Sequence, residues 1–188
     1  MSKGISGLFS NTIGWLVHHN GRIIPGKDGV VTGGDSQKLK ANLLVSMGLP
    51  KRTIVKNYQA QHIIPAELRN HPIIRKIGMD FDDATNGIFL PVSGNQVNTI
   101  SKHRGYHSIY SKFVLGKLNN MDINLSSLEL QKQVKSLQRN LRKLQESGLP
   151  LYKGFSSKDS KSKLYPHRQG NSVDLWERKY NNISQEEH

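Results

Sequence analysis

Leu130, Val134, Leu137, Leu141 and Leu144 recur at alternating spacings of four and three residues. That period keeps apolar side chains on one face of an α-helix, whereas a strand alternates every second residue. Ser126 and Glu129 form a capping box ahead of the run, and Gly148 and Pro150 stop it, so a helix is expected over 127–147. Lys132, Lys135, Arg139, Arg142 and Lys143 occupy its other faces. Such a helix must lay its apolar stripe on the rest of the chain or on a partner helix. The basic residues read first as a solvated face and second as a surface toward a nucleic-acid groove.

No other segment is so regular. Residues 1–37 are rich in Gly and form a lead-in, with a hairpin or an irregular arm over 23–31. Asp35 or Ser36 caps a short helix through Leu39, Leu43, Leu44 and Met47, ended by Gly48 and Pro50. Residues 58–65 read as a short strand closed by Pro65. Ala66 to Asn70 and Pro72 to Ile77 read as two helical turns. Asp82, Asp83, Asn86 and Gly87 are turn formers before a second strand, Ile88-Phe89-Leu90, closed by Pro91. A helix is expected over 101–119, with Tyr106, Tyr110, Phe113, Val114 and Leu118 on one face and His103 and His107 at its edge. Residues 149–188 read as a polar, partly ordered tail, and there is no internal repeat.

The 188 residues suffice for about one domain. Lys and Arg total 27 against 14 Asp and Glu, a net charge of +13. So basic a chain favours a polyanionic partner, nucleic acid before an anionic membrane surface, though a merely basic soluble protein has the same charge. With no cysteine, disulfide scaffolds, Cys-ligated zinc and thiol catalysis are excluded. No apolar run approaches the ~20 residues of a membrane-spanning helix, so no membrane insertion is expected. The stretch from Met1 to Leu16 lacks the order of a signal peptide.

Eight histidines are many for this length. His62 ends a short strand, where a neutral imidazole can take a proton from water near neutral pH. Taken alone, a His beside apolar residues is more often structural. His103 and His107, four apart on the expected helix, could chelate one divalent ion, or be two surface histidines. Lys102 and Arg104 flank that pair and suit phosphate contacts. Asn86-Gly87 taken alone is a turn signal. His71 reads as a helix-boundary residue before Pro72, and the pair His18-His19 has no complement. Asp80, Asp82 and Asp83 suit turns and caps, since their spacing matches no calcium loop.

The order of these parts is more specific than any of them: Tyr58-Gln59-Ala60-Gln61-His62-Ile63-Ile64-Pro65, then His71-Pro72, then Asp80 through Asn86-Gly87-Ile88-Phe89-Leu90-Pro91, then His103-Arg104-Gly105-Tyr106-His107. It resembles the HNH and endonuclease VII superfamily, the His-Me finger nucleases, and most closely the AHH branch found at the toxic end of bacterial polymorphic toxins. The resemblance covers about residues 38–122. It implies an α+β fold, a small ββα-metal core with flanking helices, and a nuclease domain over 38–125. The amphipathic helix of 126–148 would pack on that domain, with the tail of 149–188 beyond it.

The resemblance also implies roles. His62 falls on the general base, Asn86 on the residue that braces the active-site loop, and His103 and His107 on the ligands of the metal or scissile phosphate. Where the family has His-His this chain has Gln61-His62. Either the ion is held by His103, His107 and the substrate phosphate, or Gln61 adds an oxygen ligand for a hard ion, or the site is weakened. The implied cofactor is one divalent ion, magnesium first, with manganese, nickel or zinc as alternatives. The implied substrate is DNA, with RNA as the alternative, cut with little sequence specificity. The expected biology is an exported effector without its own signal peptide, acting in the cytoplasm of a target cell. An acidic immunity protein would meet its charge. A non-catalytic nucleic-acid-binding module and a protein dimerising through its leucine-spaced helix are the competing classes.

Overall fold

A computed structural model describes residues 21–92, 100, 101, 103, 107–151 and 172–185. The elements run α1 (Ser36–Ser46), β1 (Tyr58–His62), α2 (Pro72–Ile77), β2 (Gly87–Pro91), α3 (Ser108–Asn119), α4 (Ser127–Glu146) and α5 (Val173–Gln185), with 3₁₀ turns at Ala66–Asn70 and Ala84–Asn86. The fold is mixed α+β, a small ββα core with added helices, as expected.

The strands pair antiparallel with Tyr58 opposite Pro91 and His62 opposite Gly87. Every residue of β2 is buried, because both faces of the two-stranded sheet are covered. Ile88 and Leu90 point into the main core with Phe113, Leu137 and Leu141. Phe89 points the other way, onto Leu39, Leu43 and Leu44 of α1. α1 comes so close that a Cβ on Gly87 would lie 2.7 Å from Leu39 Cδ1. A side chain at Gly87 would therefore push into the Leu39 and Leu43 side chains, a packing demand rather than that of a tight hairpin turn.

The local signals hold where they are strong. Asp35 caps α1 by accepting from Gln37 N at 2.8 Å. Ser126 and Glu129 form the capping box of α4, and its five stripe residues are all buried. α4 also buries Gln131, Gln138, Asn140 and Gln145, which the apolar period does not announce.

Three regions differ from expectation. The helix expected over 101–119 begins only at Ser108. Ahead of it, His103 N donates to Pro91 O at 2.8 Å and Ser101 N donates to Gln145 O at 2.7 Å, so tertiary hydrogen bonds hold these residues off the helix. The described part of the lead-in joins the domain. Ile24 is fully buried, Asp80 N donates to Pro25 O at 3.0 Å, and Phe81 N donates to Thr32 O at 3.0 Å. In the tail, α5 buries Trp176 against Tyr110 and Phe113, with ring centroids 5.0 and 5.6 Å away.

Candidate active site

A cleft of about 230 Å³ opens where the end of β1 meets the start of α3. Gln61, His62, His103 and His107 all line it, beside Glu67 and Ser111. The fold therefore gathers His62, the two-histidine pair and the substituted position Gln61 from segments far apart in sequence. Lys102, Arg104, Tyr106 and the pair His18-His19 lie outside the described residues.

His62 is the last residue of β1 and only 8% exposed. Its Nε2 lies 3.3 Å from Asp82 Oδ1. The loop that follows is fastened twice: Ile63 N donates to Asn86 O at 2.7 Å, and the Tyr110 hydroxyl donates to Ile63 O. Burial pushes the Tyr110 phenol up, which keeps it a donor. Gln145 Nε2 in turn donates to the Tyr110 oxygen at 2.6 Å.

Asn86 is fully buried. Its Oδ1 accepts from Ile64 N at 2.8 Å and from Gln138 Nε2 at 3.1 Å. Its Nδ2 donates to Ile64 O at 3.3 Å and to Phe81 O at 3.2 Å. Arg142 reaches under the same turn and donates to Thr85 O and Gly87 O. That guanidinium is committed to the protein, against its expected place on a solvated face.

His103 and His107 do not sit one turn apart on a helix. His103 is bridged to Val92 beyond β2, and His107 is the N-cap of α3. The two rings nonetheless meet, with centroids 4.9 Å apart and planes at 84°. Burial lowers the pKa of His103. Burial, and then the charge of His103, lower that of His107 to about 4. Both rings are thus held neutral at physiological pH, the form that binds metal. His107 Nε2 is buried without a hydrogen-bond partner.

These atoms fit a divalent ion held by two imidazoles. No group of three or more His, Cys, Asp or Glu side chains suited to a metal occurs among the described residues. The remaining ligands would come from water, the substrate phosphate and Gln61. Gln61 Nε2 donates to His62 O at 3.0 Å, which leaves its carboxamide oxygen as the atom it can offer.

The other polar residues have structural duties. His71 caps α2, with Nδ1 accepting from Ile73 N at 3.2 Å, and its Nε2 lies 2.9 Å from Asn119 Oδ1. Asp83 caps the 3₁₀ turn by accepting from Thr85 N at 2.8 Å. Asp82 combines a turn role with its contact to His62, a pairing that no local spacing signals across twenty residues.

A two-stranded sheet feeding a helix, with histidines gathered at their junction, is the arrangement of a ββα nuclease core. Residues 45–147 match the AHH family, a nuclease family of the HNH/ENDO VII superfamily with conserved AHH, and the protein belongs to that family. No curated protein and no solved structure matches the chain. The matched span holds no adjacent histidines, and Ala60-Gln61-His62 is its nearest approach to the family's tripeptide. Nucleases of this superfamily act on nucleic acid and typically use a divalent metal. No described helix is long and apolar enough to cross a membrane.

Proposed function

We propose that this nuclease is a metal-dependent endonuclease that cuts DNA with little sequence specificity. The observation that carries the proposal is the convergence in one cleft of His62 with two neutral imidazoles, one bearing a buried, unpartnered nitrogen. His62 takes the proton from the water that attacks phosphorus. Asn86 holds the loop on which His62 sits. His103 and His107, with Gln61 beside them, would hold the ion. A divalent ion bound there supplies positive charge that offsets the charge growing on the phosphate and leaving oxygen. Arg104 and Lys102 steady the phosphate by charge-assisted hydrogen bonds. Magnesium is the first choice of ion, since Gln61 and a phosphate offer oxygen.

The charge of +13 supports binding through the DNA backbone, so cutting should be sensitive to salt. The resemblance to polymorphic-toxin domains supports a role as an exported effector acting in the cytoplasm of a target cell. Its producer would carry an acidic immunity protein.

A plasmid-cleavage assay with magnesium, manganese, nickel or zinc tests the proposal, with EDTA as control and an RNA substrate in parallel. We expect metal-dependent nicking that His62→Ala and His107→Ala both abolish, while His62→Ala still binds DNA. Activity retained by His62→Ala would overturn the base assignment. DNA binding without cleavage under any of the metals would favour a binding module with a site disabled at Gln61.

A further inference from the structure

We infer that Asp82 is a positioning residue for His62, fixed in place by backbone that precedes the span matched to the family. The inference rests on the reading of His62 as general base.

Asp82 is 4% exposed and is held at its main chain and at one carboxylate oxygen. Its N donates to Asp80 Oδ1 at 3.1 Å, and its O accepts from Asn42 Nδ2 at 2.8 Å. Its Oδ1 accepts from Gly34 N at 2.7 Å and Asp35 N at 2.8 Å. The same oxygen faces His62 Nε2 at 3.3 Å. Residues 32–35 wrap this carboxylate closely. Gly33 has φ +77, and a Cβ there would lie 2.7 Å from both Asp82 N and Asp80 Oδ1, so glycine alone fits. Two backbone amides on one carboxylate oxygen, with two further bonds fixing the Asp82 main chain, are more than a turn needs, and they aim that oxygen at one imidazole.

That contact has a chemical consequence. A neutral imidazole carries one N–H, and an acceptor facing Nε2 selects the tautomer with the proton there. Nδ1 then keeps its lone pair to take a proton from water. Once the ring is protonated, the adjacent carboxylate offsets its charge. Asp82 touches neither substrate nor ion in this scheme and acts only through His62.

The test uses the full chain with Asp82→Asn, which removes the charge and keeps the shape, and Asp82→Ala, which removes the acceptor. Nitrogen-15 correlation spectra of the metal-free protein at about pH 7.5 report the His62 tautomer, with His62→Ala giving the assignment. We expect the wild type to hold the Nε2–H form and Asp82→Ala to lose that preference. With metal, Asp82→Asn should lower kcat about tenfold or more and leave KM within a few-fold. An Nδ1–H tautomer in the wild type overturns the proposal. So does an unchanged kcat in Asp82→Asn, whose retained shape keeps the result readable if Asp82→Ala does not fold. If His62→Ala stays active, the base reading fails, and the tautomer still reports whether Asp82 orients the ring.

Discussion

Every polar atom of the Asn86 carboxamide has a partner, whereas His107, across the same core, keeps a buried Nε2 with none. The Asn86 carboxamide is fully used, tying the chain just after β1 to the turn before β2. His103 and His107 are held by their own backbone hydrogen bonds to Pro91 and Ser111, while their rings stay neutral and line the cleft. An unpaired buried polar group costs about 1–3 kcal/mol. At the cleft, the His107 Nε2 is free to meet a partner, which no atom of the Asn86 carboxamide is.

The largest effect is expected from His107→Ala. It should lower metal-dependent cleavage by about a thousandfold and leave the unfolding midpoint of the metal-free protein unchanged or higher. A large loss of stability without metal would place His107 with the scaffold.

Asn86→Ala should do the opposite. It strands the buried Ile64 N and Phe81 O, so denaturant unfolding should show a loss of about 3 kcal/mol, with any loss of activity following from the loop. A stable protein with reduced kcat would mean that Asn86 acts on the reaction more directly.

Acidification sharpens the comparison further. His107 has a folded pKa of about 4, below its ordinary 6.5, so the unfolded chain binds the extra proton first. Stability is therefore full above about pH 6.5 and falls as pH drops toward about 4. For this partly buried group the loss should be on the order of 2 kcal/mol. Unfolding midpoints of the metal-free protein across that window should slope less in His107→Ala. Equal slopes would refute the assignment.

The smallest effect is expected from Gln61→His, which restores the family's paired histidines. It should tighten manganese or nickel binding about tenfold, read by calorimetry. No change would mean that this position faces away from the ion.

Much of the architecture was legible in the chain. α4 follows from its period and capping box, α1 from Asp35 and Gly48, α2 from Pro72 and Gly78. β2 follows from a short apolar run closed by Pro91, while β1 stops at His62, short of the Pro65 expected to close it, and the order of His62, Asn86, His103 and His107 pointed to one site. α5 was not expected in the polar tail, although Trp176, Tyr180 and Ile183 keep a helical spacing and Leu175 N donates to Ser172 Oγ at 3.1 Å. Among polar residues, the spacing of Gln138, Arg142 and Gln145 carries no such message. Their partners are backbone carbonyls, a carboxamide and a phenol brought in from elsewhere.

Neighbours within a few residues of one another decide the caps, periods and stops, and the chain order supplies the types of side chain the site holds. Only the tertiary structure decided that His103 lies in extended chain rather than on α3. It alone decided that the lead-in packs on the core and that Asp82 meets His62. The reason is physical. Helix signals are local sums of small preferences, and a few hydrogen bonds to distant backbone outweigh them. The Pro91 carbonyl that holds His103 and the Gly34 and Asp35 amides that hold Asp82 come into reach only when the chain has folded.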